Sequence, residues 1–279
     1  MRPTTEMDMN TTQAKGTALI TGASTGIGAI YADRLAKRGH DLILVARNKL
    51  RLVSLARRLA NETGRKVETV EADLTSPADL QRVEDILRTN AGISLLVNNA
   101  GVGAAGPLVA SDVDKMDDMV RLNVTALTRL TYAAVPGFVA RGHGTIINIS
   151  SIVAIAPEVL NGVYGGTKAF VLAFNRSLVH ELADKGIRVQ AVLPGATATE
   201  FWDVAGMPVH QLPAQIVMSA DDMVDAALAG LDLGETVTIP SLADKAEWDR
   251  HETARLAMSG KLSSAIPAPR YNLRKLVNA

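Results

Sequence analysis

Tyr164 and Lys168 lie four residues apart in the segment NISSIVAIAPEVLNGVYGGTK, residues 148–168. Near the start of a predicted helix, residues at this spacing share one helix face. A free phenol has a pKa of about 10 and is a poor acid or base near neutrality. An ammonium about 4 Å away should lower that pKa, by up to roughly three units at an effective dielectric near 20. The pair predicts a tyrosine that exchanges a proton with a substrate oxygen.

Two serines, Ser150 and Ser151, come at the end of the apolar stretch GTIINIS, which precedes the tyrosine. A serine hydroxyl at the end of a strand could donate a hydrogen bond to a carbonyl oxygen on which negative charge develops. Both serines are candidates, because their types and places along the strand are nearly the same.

The stretch TGASTGIG, residues 21–28, joins the first predicted strand to the first predicted helix. Its glycines would allow a tight turn, close approach of a diphosphate and close packing of helix on strand, while amides at the helix N-terminus face the anion. An ordinary glycine-rich turn is the alternative, but the place of the loop in the chain favours a dinucleotide. The predicted cofactor contacts here are Gly22, Ser24, Thr25, Gly26, Ile27 and Gly28.

The end of the second predicted strand should select the cofactor. An acidic side chain there would bind the ribose hydroxyls of NAD and repel a 2′-phosphate. The stretch is LVARN, with Ala46 followed by Arg47. A guanidinium pairs with phosphate through two parallel hydrogen bonds, so NADP(H) is the predicted cofactor; the alternative is that Arg47 is a solvated loop charge.

Strand and helix patterns alternate along the chain, and the fold that they predict would position these residues. Short strands are predicted at 17–21, 41–46, 66–72, 94–100, 144–150, 187–193 and 235–239, and helices at 26–39, 49–62, 112–141 and 164–185, with a further helix capped by Ser76 and opened by Pro77. Apolar strands that alternate with helices predict an α/β fold: one doubly wound domain with a mostly or wholly parallel sheet of about seven strands and helices on both faces. Ligands bind at the carboxyl ends of such strands.

Composition excludes several classes of function. The 29 basic and 29 acidic residues cancel, so no global field recruits nucleic acid or anionic lipid. Cysteine is absent, which removes thiol nucleophiles, disulfides and thiolate zinc sites, and the five histidines lack metal-ligand spacing, so no metal site is predicted. No apolar run approaches the ~20 residues of a membrane span, and the polar first fifteen residues do not resemble a signal peptide. A cytoplasmic protein is expected.

Six ordered motifs resemble those of short-chain dehydrogenases/reductases over roughly residues 16–240. They are TGASTGIG, NNAG at 98–101, Asn123, NISS, YGGTK and PGATATE at 194–200. The resemblance implies a Rossmann-type fold, a nicotinamide cofactor and hydride transfer between carbon and a carbonyl or alcohol. It also implies a catalytic tetrad at Asn123, Ser151, Tyr164 and Lys168, and it selects Ser151 over Ser150 by its thirteen-residue interval to the tyrosine.

The same resemblance assigns further cofactor contacts. Asn123 resembles the residue whose backbone holds a water in a proton relay, and Lys168 should also bond the nicotinamide ribose. The remaining implied contacts are Asp73, Leu74, Asn99, Ala100, Gly101, Tyr164, Pro194, Gly195, Thr197 and Thr199. The chain departs from many relatives at Gly165 and Gly166, and two helix-interior glycines predict a close approach by another element.

The substrate pocket should be covered by a lid at residues 200–219, with apolar side chains at Phe201, Trp202, Met207, Val209 and Met218. This cover predicts a medium-sized hydrophobic ketone, aldehyde or alcohol, although the same side chains could simply pack on the sheet. Three regions are predicted: a flexible tail at 1–15, a catalytic domain at 16–240, and an extension at 241–279 that packs on the same domain.

Two questions remain open at the level of sequence. Family members commonly pair through the two long helices predicted at 112–141 and 164–185, so a homodimer or homotetramer is expected by resemblance. The alternatives to a carbonyl reductase are an NADPH-binding sensor or scaffold with vestigial catalysis, and an enone reductase or isomerase that uses the same tetrad. A sensor would be expected to lose a tetrad member, and this chain keeps all four.

Overall fold

The computed structural model describes residues 15–272, which form two compact units that divide after Pro240. The predicted tail at 1–15 lies almost wholly outside the described residues. The first unit contains a seven-stranded, wholly parallel sheet. Its strands are β1 (Thr17–Thr21), β2 (Asp41–Ala46), β3 (Val67–Glu71), β4 (Ile93–Asn98), β5 (Gly144–Ile149), β6 (Ile187–Val192) and β9 (Val237–Thr238). They lie across the sheet in the order β3-β2-β1-β4-β5-β6-β9. The predicted fold is confirmed.

Helices connect the strands and cover both faces of the sheet. They are α1 (Gly26–Lys37), α2 (Lys49–Thr63), α3 (Pro77–Thr89), α4 (Val113–Val120), α5 (Leu127–Arg141), α6 (Gly162–Leu182), α7 (Phe201–Val204) and α8 (Ala220–Asp232). Two short strands, β7 (Thr197–Ala198) and β8 (Met218–Ser219), pair in parallel at the two ends of the predicted lid. Within residues 15–272, every helix is too short or too polar to cross a bilayer.

The hydrophobic core is split into two layers by the sheet. Ile20 of β1 belongs to the layer under α1, α2 and α8, whereas its neighbour Leu19 belongs to the layer under α3, α5 and α6. Successive side chains of a strand point to opposite faces, so a central strand covered on both sides must be apolar throughout. The edge strand β3 differs, because three of its five residues are exposed.

Two predicted helices differ from expectation in detail. Ser76 stands at the N-cap of α3, but its side chain makes no capping hydrogen bond. The single helix predicted at 112–141 is instead α4 and α5 joined by a π-helical segment, Arg121–Ala126. A π-helical segment is a local widening that is often found at functional sites, and Asn123 lies within it.

The second unit, from Ser241, contains α9 (Lys245–Ser259). The side chain of Asp244 caps this helix by accepting a hydrogen bond from the Ala246 amide. The rings of Trp248 and His251 stack with centroids 5.1 Å apart. The packing of this extension on the catalytic domain stays a prediction.

Candidate active site

The start of α6 and the end of β5 bring the reactive side chains together. The side chain of Asn161 caps α6 by accepting from the amides of Val163 (2.9 Å) and Tyr164 (3.4 Å). Tyr164 and Lys168 are both buried on one helix face. The Lys168 Nζ donates to the carbonyl of Ile149, the last residue of β5, at 2.9 Å, and lies 5.8 Å from the centroid of the Tyr164 ring.

Burial controls the protonation of both groups. It raises the pKa of Tyr164 to about 12, and a hydrogen bond with Ser151 only partly opposes this. It lowers the pKa of Lys168 to about 8. The expected lowering of the phenol pKa is therefore wrong for the protein alone, because burial penalises the phenolate by more than the Ser151 side chain stabilises it. Tyr164 keeps its proton at neutral pH, which is the state required to protonate a carbonyl oxygen.

The two candidate serines have different environments. Ser150 is buried, and its hydroxyl donates to the carbonyl of Lys168 at 2.8 Å, which ties β5 to α6. The Ser151 Oγ accepts from the Val153 amide at 3.3 Å and donates to the Pro194 carbonyl at 3.4 Å. The Ser151 side chain is also close enough to Tyr164 to lower the pKa of that phenol, which partly offsets the effect of burial. The geometry therefore agrees with the choice of Ser151.

Asn123 connects three segments around this pair. Its Nδ2 donates to the Val102 carbonyl (2.8 Å) and to the Thr167 hydroxyl (3.1 Å), and its Oδ1 accepts from the Val102 amide (3.0 Å). These bonds join the π-helical segment to the loop after β4 and to α6. The side chain thus positions the backbone around Lys168, and the relay role of Asn123 stays a prediction.

The glycine loop is built against the end of β4. Gly22 has a φ of 65°, and a Cβ there would lie 2.8 Å from the Asn99 Nδ2. That nitrogen donates to the Thr21 carbonyl at 2.9 Å. A Cβ at Gly28 would overlap the carbonyl oxygen of Gly22. Gly22 therefore permits the turn, and Gly28 permits close packing of α1 on the strand.

The N-terminus of α1 suits an anion. Thr25 is the N-cap and makes no side-chain capping hydrogen bond. The first amides of this helix have no intrahelical partner, so they and the positive end of the helix dipole are available to a diphosphate. Gly26, with a φ of 52°, brings the backbone close to Thr199, whose Cγ2 would lie 3.1 Å from an added Cβ.

Charged residues occupy the corner at the end of β2. Arg47 is exposed and is close enough to Asp73 for its charge to act on that carboxyl. Burial raises the pKa of Asp73, but hydrogen bonds from Thr75 and the charge of Arg47 outweigh it and lower this pKa below the ordinary value. Arg51 of α2 forms an ion pair of 2.7 Å with Glu200 at the start of the predicted lid.

One cavity of about 620 Å³ joins these features at the carboxyl ends of the strands. The predicted residues on its wall are Gly22, Ser24, Thr25, Gly26, Ile27, Arg47, Asp73, Leu74, Asn99, Ala100, Gly101, Ser151, Tyr164, Lys168, Pro194, Gly195, Thr197 and Thr199. Gly28 and Asn123 are not on the wall and act through packing and hydrogen bonding instead. A cavity lined by a glycine loop, a helix N-terminus and an arginine fits a dinucleotide phosphate.

Comparisons with known proteins agree with this arrangement. A sequence model of the family described as short chain dehydrogenase matches residues 16–206. The chain belongs to the short-chain dehydrogenase family. It is therefore an oxidoreductase that acts on CH–OH or C=O groups, as the motifs predicted.

Two solved structures resemble this short-chain dehydrogenase along most of its length. A short-chain dehydrogenase from Sphingobium yanoikuyae, in complex with NADPH, is 51% identical, with a TM-score of 0.88 over 91% of this chain and 98% of its own. A bulky-bulky ketone specific alcohol dehydrogenase from Comamonas testosteroni is 45% identical, with a TM-score of 0.86 over 93% of this chain and 99% of its own.

Curated relatives are more distant and longer. The 17-beta-hydroxysteroid dehydrogenase type 3 of Danio rerio is 32% identical over 223 residues, which are 78% of this chain and 70% of that protein. For other curated relatives, the match spans 60% of the relative's length.

Several features of the site were missed at the level of sequence. Arg51 and Glu200 both line the cavity, and neither was predicted as a site residue. Arg51 follows Arg47 by four residues in the sequence, and this nearness to a predicted phosphate contact was the available signal. Its partner Glu200 is 149 residues away, and nothing in the sequence points to that contact. Of the predicted lid side chains, Phe201, Trp202 and Met207 line the cavity. Val209 and Met218 do not, and Met218 packs on the core instead.

The two glycines after Tyr164 also differ from each other. A Cβ at Gly165 would lie 3.0 Å from the Cβ of Pro157, so this glycine permits the predicted close approach. Gly166 is exposed, and an added Cβ there would meet nothing within 4 Å. The expected close approach at Gly166 is wrong within this chain.

Proposed function

We propose that this short-chain dehydrogenase uses NADPH to reduce a medium-sized hydrophobic ketone, or catalyses the reverse oxidation of the alcohol. One observation carries the proposal: the protonated Tyr164, with Ser151 beside it, lies in the same cavity as the glycine loop and Arg47. The NADPH bound by the Sphingobium relative supports the predicted cofactor. When bound, the reduced dinucleotide supplies a hydride.

The protein groups handle the carbonyl oxygen. The Ser151 hydroxyl can donate a hydrogen bond to this oxygen, which stabilises the negative charge that develops on it. Tyr164 then donates its proton, and the product is an alcohol. Lys168, held by the Ile149 carbonyl, keeps a cation close to the phenolate that remains. In the reverse direction, Tyr164 accepts the proton of the alcohol.

The apolar wall on the lid side supports a hydrophobic substrate. Its members are Val153, Val159, Leu160, Phe201, Trp202, Val204, Met207, Leu212 and Ile216. Such a surface favours apolar substituents by removing them from water. The ketone specificity named for the Comamonas relative is consistent with a substrate that has two large substituents.

The first experiment measures NADPH oxidation, by the absorbance of the reduced nicotinamide, against a panel of ketones, quinones and enones. We expect turnover with aryl ketones. Tyr164→Phe should abolish turnover and leave NADPH affinity nearly unchanged, because only the phenolic hydroxyl is lost. Tight NADPH binding without turnover of any compound would favour a sensor, and enone-restricted turnover would favour a double-bond reductase.

We also propose that the protein assembles as a homodimer or homotetramer through α5 and α6. Tyr132, which is 69% exposed, stacks on Phe174 with ring centroids 6.4 Å apart, and Phe170 stacks on the same ring at 5.8 Å. The open surface at Gly166 lies one helical turn before Phe170 on α6. An exposed aromatic group beside a side-chain-free position is the kind of surface that a second copy covers.

A further inference from the structure

The loop that follows β4 contains a notch for one aromatic ring. A Cβ built at Gly103 would overlap the Cζ of Phe201 and would lie 2.8 Å from its Cε2 and 3.2 Å from its Cε1. The three nearest atoms to this Cβ all belong to the one ring. The Gly103 backbone has no positive φ, so the glycine is required by the ring rather than by the turn.

The same ring lies against the predicted proton donor. The centroids of Phe201 and Tyr164 are 5.7 Å apart, with their planes inclined at 45°. Phe201 packs on a small apolar cluster formed by Met119, Val153 and Tyr164. It therefore fills space between the loop and the phenol, where a substituent of a carbonyl bound at Tyr164 would lie.

The segment that carries Phe201 is held by two hydrogen bonds, and a ring contact supports the Phe201 side chain. The Ala105 amide donates to the Ala205 carbonyl at 3.1 Å, which joins the loop to the end of α7. The Nε1 of the buried Trp202 donates to the Thr197 carbonyl at 2.8 Å. The Trp202 ring also meets Phe201 edge-on at 5.5 Å. Because α7 is held in this way, Phe201 can make room chiefly by rotating its side chain.

We propose that Phe201, seated in the notch at Gly103, is the residue that limits the size of one substituent of the ketone. This inference rests on the proposed function, since it concerns the substrate of the same site. Phe201 occupies the volume that a larger substituent needs, and differences of even one methylene in an apolar pocket change kcat/KM by roughly tenfold or more. The ring acts as the wall of the pocket on the side of the β4 loop.

The first test compares two ketones in the wild type and in Phe201→Ala. One ketone carries a phenyl and a methyl group, and the other carries two phenyl groups. We expect the kcat/KM ratio of the larger to the smaller ketone to rise at least tenfold in the variant, with the KM for NADPH changed less than twofold. Asp203→Ala is the matched control, because Asp203 is exposed on the same short helix and does not line the cavity.

The second test adds Gly103→Ala in both backgrounds. In the wild type, the new methyl group must displace the Phe201 ring, so the kcat/KM ratio should change at least fivefold. In Phe201→Ala, the atoms that the methyl group would meet are gone, so Gly103→Ala should leave the ratio within twofold. Coupling of this kind is a signature of direct contact.

The outcomes separate this inference from the function on which it rests. A wild-type enzyme that turns over neither ketone nor any other carbonyl would overturn the proposed function, and this inference with it. An active wild type whose ratio is unchanged in Phe201→Ala, or is lowered, would overturn the role of Phe201 alone. Equal effects of Gly103→Ala in the two backgrounds would show that contact with Gly103 does not control the position of the Phe201 ring.

Discussion

Lys168 shows how a buried cation shapes this site at the scale of single residues. Its folded-state pKa of about 8 lies below the ordinary value of 10.5 because burial disfavours the ammonium. Between these values the unfolded chain binds more protons than the folded one, so the free energy of unfolding should rise with pH across this window. Below pH 8, the charged and buried lysine costs stability, up to about 3 kcal/mol for a shift of this size.

This cost predicts a pH-dependent effect of Lys168→Met. Relative to the wild type, the variant should gain most in free energy of unfolding below pH 8, and the difference should shrink as the pH approaches 10.5. Urea unfolding of the wild type and of Lys168→Met at pH 7 and pH 10 measures this difference in the free energy of unfolding. Lys115→Met, at an exposed lysine, is the control. The same difference at both pH values would mean that Lys168 is not a charged, desolvated group in the folded protein.

At the scale of elements, the ion pair of Arg51 and Glu200 joins α2 to the first residue of the lid. Both side chains line the cavity, and both are about half exposed. Arg51 lies in the first turn of α2 and lines the same cavity as Arg47, the residue predicted to recognise a 2′-phosphate. Glu200 would therefore compete with a 2′-phosphate for the Arg51 guanidinium and would repel that phosphate with its own negative charge.

Removing this carboxylate should favour the phosphorylated cofactor. We expect Glu200→Gln to tighten NADPH binding by roughly two- to fivefold at low salt, as is typical of an exposed ion pair, and to leave NADH binding unchanged. Titration of both cofactors by nicotinamide fluorescence measures this effect. Asp203→Asn, an exposed acid that does not line the cavity, is the control. An equal change for NADPH and NADH would show that Glu200 acts on the lid and not on the phosphate.

At the scale of the whole molecule, the exposed aromatic side chains on α5 and α6 have no explanation in the fold of one chain. If these helices form the subunit interface, Tyr132→Glu should convert the assembly to monomers, because it places a charge at an apolar contact without disturbing the core. Sedimentation velocity measures the change. Tyr271→Glu, at an exposed tyrosine outside these helices, should leave the assembly intact. A wild type that is monomeric at all concentrations would contradict the proposed interface.

The alternation of apolar strands with helices determined the fold, because a parallel sheet covered on both faces requires strands that are apolar along their length. The edge strand β3 is an exception to this rule, because it is partly exposed to solvent and its charged residues are exposed. The residues of the glycine loop and the Tyr164–Lys168 pair could be predicted because their partners are near in sequence. Their spacing alone brings them to one helix end or one helix face.

Only the tertiary structure decided how these groups behave. The direction of the Tyr164 pKa depends on burial by elements far apart in the chain, and sequence spacing carries no information about desolvation. The contact of Gly103 with Phe201 and the ion pair of Arg51 with Glu200 also could not be predicted from sequence spacing. Each contact joins residues about 100 or more positions apart. They exist because parallel strands deliver their following loops to one edge of the sheet, where distant segments must pack against each other.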